Sequence, residues 1–369
     1  MSTQFQAFKN KVEHCLCAPG DGVFTVNTAK ERKAALRNKL YGQTENVDVL
    51  WRDSLNELPN SPHKAVMLGI SSDCGGGILR GANWGPLFLR SALIDQQTQC
   101  RSFDLGDVRV IPHLLHDKYL NEATITNCQK ALYGNDNNDH YVSPLSITED
   151  VCDSFYATFQ DKGIFGIGGD HSISYPLTKA YLKAKREQGK RTAIIHFDAH
   201  TDLLVERLGI DLCFGSWCTH ILEFLPAPHH LIQFGIRSSG KPKSHWESTF
   251  GVKQHWAAEI IERGAAAVAA DAIAQLKADK VDEVYVSFDI DALDAEFASA
   301  TGTPEENGLT PQHALDILSA IAGEFPITGA DMMEIAPFTD SSLVGQSSSE
   351  TTLREGAKIS AFLINAMNR

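Results

Sequence analysis

Two apolar runs of this chain end directly in closely spaced ionisable residues. The runs occupy residues 192–197 and 284–288, and the side chains that follow them are Asp198, His200, Asp202, Asp289 and Asp291. Within each group the spacing is two residues, and an extended backbone sends alternate side chains to the same side. The spacing therefore predicts that each group presents carboxylates, and in one case an imidazole, toward one place.

A third apolar run ends in glycines and a histidine, in the sequence GIGGDHS at 166–172, which contains His171. In parallel α/β sheets, ligands collect at the carboxyl ends of strands. Several carboxylates gathered there would repel one another unless cations neutralised them. A mixed Asp and His set without thiolates suits Mn²⁺ better than structural zinc, and two ions about 3.5–4 Å apart can activate a shared water. The three clusters predict a dinuclear metal centre.

Simpler interpretations of each cluster exist. A single histidine is more often a hydrogen-bonded structural residue than a ligand, and a solvated acidic turn is the alternative for either Asp cluster alone. The segment 289–294 does not fit an EF-hand, because the required glycine and distal glutamate are absent. Three clusters at three predicted strand ends favour the metal site.

The elements that must position these residues alternate along the chain. Apolar runs typical of buried strands lie at 65–70, 163–167, 192–197, 231–236, 283–288 and 327–335. Helical patterns lie at 175–188, 257–278 and 311–322, the last with Thr310 as its expected N-cap. This alternation predicts an α/β fold with a mainly parallel central sheet. We expect residues 1–60 to form a helical N-terminal extension, and 61–369 to form a single domain with a loop or insertion at 113–149.

Composition narrows the class of protein. The formal net charge of −13 argues against nucleic acid or an acidic membrane as a partner and favours a cationic ligand. Apolar residues make up 43% of the chain, which is typical of a globular protein. Eight scattered cysteines suit reduced thiols. The first twenty residues lack a continuous apolar segment, so we expect a cytoplasmic location.

Several motifs together resemble the ureohydrolase family, which includes arginase, agmatinase, guanidinobutyrase and formimidoylglutamase. The specific signatures are GGDHS at 168–172, DAHTD at 198–202, SFDIDALD at 287–294 and TGTPEENGL at 301–309. Weaker support comes from RGANWGP at 80–86, LGDV at 105–108, GIRS at 235–238 and MMEIAP at 332–337. The resemblance implies the three-layer arginase/deacetylase-like fold, a homo-oligomer of three or six subunits, and two Mn²⁺ ions, with Ni²⁺, Co²⁺ or Fe²⁺ as alternatives.

The same resemblance assigns the ligands. One ion would be held by His171, Asp198, Asp202 and Asp289, and the other by Asp198, His200, Asp289 and Asp291. A hydroxide between the ions would attack the central carbon of a guanidinium or formimidoyl group in a small linear amidine.

The resemblance also implies roles beside the metals. Asp202 would receive the proton of the hydroxide and deliver it to the leaving nitrogen. Glu334 would grip the cationic C–N group, with Thr303 in the pocket wall. The alternative for Glu334 is an ordinary residue at a strand end.

One position departs from the family pattern. Arginases and agmatinases usually carry a proton-shuttling histidine before the glycine at 215, whereas this chain has Phe214. We expect Phe214 and Trp217 to line the substrate pocket, and His220 either to replace the shuttle or to be structural.

The sequence also argues against the substrate of arginase. The arginase loop that reads an α-amino acid is not recognisable, so L-arginine is not the expected substrate. The pair Gly215-Ser216 resembles formimidoylglutamases, whereas Thr201 does not.

Two other functions remain open from the sequence. The chain could be a catalytically retired member that keeps its metals for assembly or regulation. Phosphoester hydrolysis is a poorer alternative, because Arg237 is the only obvious cation near a predicted strand end.

Overall fold

The computed structural model of the protein describes residues 3–23, 28–76, 79–95, 101–134, 139–339 and 348–369. These residues form a sheet of nine strands. The strands are β1 (Leu16–Cys17), β2 (Ala65–Ile70), β3 (Phe103–Val108), β4 (Gly163–Gly168), β5 (Thr192–Phe197), β6 (Leu231–Phe234), β7 (Lys253–His255), β8 (Glu283–Asp289) and β9 (Ile327–Met333). Their spatial order is β1-β3-β2-β4-β9-β8-β5-β6-β7. All neighbours are parallel except β1, which pairs antiparallel with β3.

Helices connect the strands. They are α1 (Thr3–Cys15), α2 (Lys30–Tyr41), α3 (Val47–Ser54), α4 (Gly85–Asp95), α5 (Glu122–Tyr133), α6 (Pro144–Thr158), α7 (Ser174–Glu187), α8 (Trp217–Ile221), α9 (Lys243–Phe250), α10 (Ala257–Arg263), α11 (Ala265–Ala278), α12 (Pro311–Glu324) and α13 (Ser349–Met367). Among the residues described here, no helix is both long and apolar enough to cross a membrane.

The sheet is buried on both faces because successive strand residues point to opposite sides. In β5, Ala193 and Ile195 belong to a core shared with α4 and α10–α13. Ile194 belongs to a second core shared with α1, α3, α6, α7 and α8. Two helical layers therefore enclose a mainly parallel sheet, which confirms the predicted fold class.

The six predicted strands are present, with ends within two residues of the expected positions. Thr310 caps α12 as predicted, and its hydroxyl accepts the N–H of His313 at 3.1 Å. The single helix predicted at 257–278 is wrong: Gly264 has a φ of 84° and separates α10 from α11.

Residues 1–60 contain α1–α3 and also β1, which extends the sheet at its edge. The range 113–149 contains α5 and the start of α6, while positions 135–138 of its polar stretch lie outside the described residues. The division into an extension and a single domain stays a prediction.

Candidate metal centre

Four neighbouring strands at the middle of the sheet deliver the site residues. In spatial order these strands are β4, β9, β8 and β5. The residues at or just beyond their carboxyl ends are His171, Glu334, Asp289, Asp291, Asp198, His200 and Asp202. Parallel pairing brings these ends to one edge, so residues distant in sequence converge there.

One imidazole nitrogen faces three carboxylates. Nδ1 of His171 lies 3.0 Å from Oδ2 of Asp289, 3.1 Å from Oδ2 of Asp198 and 3.2 Å from Oδ2 of Asp202. All four side chains are buried. This nitrogen nevertheless makes no hydrogen bond to any described residue. A buried nitrogen without a hydrogen bond, facing three anionic oxygens, suits a cation held among them.

The second imidazole faces a second pair of carboxylates. Nδ1 of His200 lies 3.2 Å from Oδ1 of Asp198 and 3.2 Å from Oδ2 of Asp291. Asp198 thus directs one carboxylate oxygen toward each imidazole. Two groups of donors share this residue, which is the arrangement that two adjacent cations require.

Hydrogen bonds on the far side of His171 set its tautomer. Oγ of Ser287 donates to Oδ1 of Asp331 at 2.8 Å, so the same oxygen can accept from Nε2 of His171 at 3.0 Å. The proton of His171 therefore sits on Nε2, and the lone pair of Nδ1 points at the carboxylates. A histidine that ligates a metal commonly has its other nitrogen fixed in this way.

The charge of the cluster also suits a bound cation. Burial raises the pKa of Asp202 and of Asp289 well above the usual range, and neighbouring carboxylates add to the effect. Burial acts in the same direction on Asp198, but the three imidazoles close to it, those of His171, His196 and His200, hold its pKa well below the usual range. So many buried carboxylates need compensating positive charge, which divalent ions supply.

Trp217 contacts two residues of the cluster, Asp202 and His171. Its indole N–H donates to Oδ2 of Asp202 at 2.8 Å, and its ring centroid lies 5.0 Å from that of His171. Trp217 is fully buried. This burial argues against the substrate contact predicted for Trp217 and indicates that it positions Asp202.

Glu334 and Thr303 lie beside the carboxylates, and their predicted contacts with the substrate stay predictions. Oε1 of Glu334 accepts the backbone N–H of His171 at 2.9 Å, and the residue has a φ of 63°. The hydroxyl of Thr303 donates to Oδ2 of Asp291 at 2.9 Å. Glu334 is therefore fixed to the His171 backbone, and Thr303 orients a proposed ligand.

His196 is a site residue that was not expected from the sequence. It lies two residues before Asp198 on the same face of β5. Its Nε2 donates to Oδ2 of Asp198 at 3.0 Å, while Nδ1 accepts from Nε2 of Gln233 at 2.9 Å. Because both nitrogens are engaged, His196 positions Asp198 and does not offer a lone pair to a metal. The alternation of β5 could have revealed this residue.

His220 and Phe214 both contact residues of the surrounding loops. Nε2 of His220 faces the carbonyl oxygen of Asp211 at 2.9 Å, and its ring packs on Tyr175. These contacts favour the structural alternative for His220 over a shuttle role. Phe214 is half-buried, and the guanidinium of Arg207 lies 5.0 Å from its ring centroid. A substrate contact by Phe214 stays a prediction.

Known proteins resemble this chain over most of its length. The model of the Arginase family matches residues 63–363. An agmatinase of Bacillus cereus is 29% identical over 290 residues, which are 76% of this chain and 86% of that protein. The crystal structure of a hypothetical agmatinase from Burkholderia thailandensis is 26% identical, with a TM-score of 0.60 over 83% of this chain and 86% of the other.

The fold likeness extends to other branches. Formimidoylglutamase from Bacillus subtilis superposes with a TM-score of 0.64 at 21% identity, over 83% of this chain and 87% of that one. The fold, the family match and the clustered Asp and His residues agree. The chain belongs to the arginase family of ureohydrolases.

Proposed function

We propose that this protein hydrolyses a C–N bond of a linear amidine at a centre of two divalent ions, with Mn²⁺ as the expected metal. The observation that carries the proposal is the position of Asp198, whose two oxygens face two different imidazoles at 3.1 Å and 3.2 Å. His171, Asp202 and Asp289 would hold one ion together with Asp198, and His200 and Asp291 would hold the other, with Asp289 expected to contribute to both.

Asp202 and Glu334 have separate roles in the proposed reaction. When bound, the ions would supply a water-derived nucleophile at neutral pH. Asp202 takes up a proton on Oδ1, because Trp217 engages its Oδ2. Glu334, fixed by the His171 N–H, attracts the cationic C–N group of the substrate.

We infer that the substrate carries a cationic guanidino group without an α-amino acid end. The acidic groups around the site favour a cation. Arg237 donates to backbone carbonyls, including those of Asp291 at 2.8 Å and Glu305 at 2.8 Å. Because its guanidinium already donates to the carbonyls of two loops, Arg237 has little capacity to bind an anionic group. This argues against both an anionic substrate and phosphoester hydrolysis. The likeness to agmatinases over 76% of the chain adds support for agmatine-like compounds.

The test is a panel of substrates on Mn²⁺-loaded protein, with urea and formamide as the measured products. The panel contains arginine, agmatine, guanidinobutyrate, guanidinopropionate, free guanidine and formimidoylglutamate. We expect urea from a guanidino compound other than arginine. Asp289→Asn should reduce turnover at least about a hundredfold, because it removes a bridging ligand. Asp316→Asn is the matched control, since Asp316 is exposed on α12.

Formamide release from formimidoylglutamate alone would overturn the inferred substrate charge but keep the hydrolase. Tight Mn²⁺ binding without turnover of any amidine would favour the retired member instead.

A further inference from the structure

A second group of side chains that could ligate a metal lies at the opposite end of the strands, where β6 and β8 begin. His229 and His230 immediately precede β6, and Asp279 follows the last residue of α11. One ligand atom from each of the three lies within 4.8 Å of the others. His230 contacts Thr192 at the start of β5, whereas Asp198 follows the end of β5. At about 3.3 Å per strand residue, the group therefore lies about 20 Å from the candidate metal centre.

The distances within this group are close to those of a metal site. Nε2 of His229 lies 3.3 Å from Oδ2 of Asp279, and Nε2 of His230 lies 3.9 Å from the same oxygen. Ligand atoms on a tetrahedral ion with bonds of about 2.0–2.2 Å are roughly 3.3–3.6 Å apart. The side chains of His229 and Asp279 are 38% and 23% exposed, so small movements can complete the geometry.

His230 supplies the independent sign of a ligand. Its imidazole is buried, and Nδ1 lies 2.9 Å from the carbonyl oxygen of Thr192. A carbonyl can only accept, so Nδ1 carries the proton and Nε2 carries the lone pair. That Nε2 is buried without a hydrogen-bond partner among the described residues. A backbone carbonyl behind one nitrogen is the usual support of a metal-ligating histidine.

We propose that His229, His230 and Asp279 form a separate site for a borderline divalent transition ion, with Zn²⁺ as the probe. Two imidazoles and one carboxylate match the ligand preference of Zn²⁺, and three protein ligands leave a fourth position for water. The bound ion would tie the start of β6 to the end of α11. The backbone of His229 is already held there, since Nε2 of Gln275 donates to its carbonyl at 2.8 Å.

The experiment counts Zn²⁺ by equilibrium dialysis of the full chain, followed by elemental analysis. Wild type is compared with His229→Ala and Asp279→Asn, which alter half-exposed side chains and should leave the fold intact. His113→Ala is the matched control, because His113 is exposed and outside both groups. We expect each ligand variant to bind one Zn²⁺ per chain fewer, or to bind it at least about tenfold more weakly. The control should match wild type.

A thermal scan provides the second readout. Zn²⁺ added after Mn²⁺ loading should raise the unfolding midpoint of wild type and His113→Ala more than that of Asp279→Asn. Equal Zn²⁺ counts in all four proteins would overturn the proposal. So would a lower midpoint for Asp279→Asn with an unchanged Zn²⁺ count, because His229 and Asp279 would then form only an ion pair.

Discussion

Ser287 determines which nitrogen of His171 faces the carboxylates, although Ser287 itself is not a proposed ligand. Its hydroxyl lies between Nε2 of His171 and the carboxylate of Asp331. Asp331 in turn accepts from the hydroxyls of Ser174 at 3.0 Å and Tyr285 at 2.8 Å. The orientation of one imidazole therefore depends on a buried polar network that spans β8, β9 and α7.

We predict that Ser287→Ala weakens metal affinity about 10- to 100-fold, because the Nε2 proton of His171 loses its acceptor. Turnover at saturating Mn²⁺ should recover to near the wild-type value, since every proposed ligand remains. Titration of activity against Mn²⁺ concentration separates the two effects. Ser91→Ala is the control, because its hydroxyl donates to the Leu87 carbonyl within α4, away from the site. Unchanged affinity in Ser287→Ala would contradict the positioning role.

The elements around the site differ in how well their sequences predict them. Strands β2, β5 and β8 were predicted from continuous apolar runs, because helices cover both faces. Strand β3 was missed, since its sequence FDLGDV includes two acids. Those acids, Asp104 and Asp107, pair with the buried guanidinium of Arg90. A local sequence pattern cannot predict these ion pairs, because Arg90 belongs to a different element, α4.

The same limit applies to the candidate site. Spacing after a strand identified the Asp and His clusters, which are local in sequence. The partners of these clusters are not local: Gln233 reaches His196 from β6, and Trp217 reaches Asp202 from α8. Only the folded chain brings these pairs together, so a local sequence pattern does not predict the contact between Trp217 and Asp202.

At the start of α12, we predict that the cap formed by Thr310 contributes to stability. Thr310→Ala should lower the free energy of unfolding by about 1 kcal/mol, because the N–H of His313 loses its acceptor. Denaturant unfolding measures the change. Gln312→Ala, at an exposed position of the same helix, is the control. A loss no larger than in the control would show that the cap contributes little.

Tyr119, within the range 113–149, contacts the loop that follows Asp202. Oη of Tyr119 bonds with the carboxylate of Asp211 and accepts the N–H of Leu212 at 2.9 Å. We predict that Tyr119→Phe raises the KM for the amidine severalfold at unchanged metal content, because the loop that carries Phe214 is less restrained. Steady-state kinetics checks this, with Tyr141→Phe as the control at an exposed position. A lower kcat at unchanged KM would contradict it.

For the whole molecule, we expect metal binding to increase stability, because the carboxylates repel one another without cations. Chelation followed by dialysis should lower the thermal midpoint by several degrees, and added Mn²⁺ should restore it. An ion present at a hundredfold its Kd contributes about 2.7 kcal/mol per site. The Asp279→Asn background removes any contribution from the second site. An unchanged midpoint after verified metal removal would contradict the linkage.

The proposed dinuclear centre requires that two ions share Asp198 and Asp289 at the carboxyl ends of the strands. Anomalous diffraction at the manganese edge, from crystals grown with Mn²⁺, would locate these ions. We predict one peak among His171, Asp198, Asp202 and Asp289, and a second among Asp198, His200, Asp289 and Asp291. A single peak, or none at this edge of the sheet, would contradict the dinuclear centre.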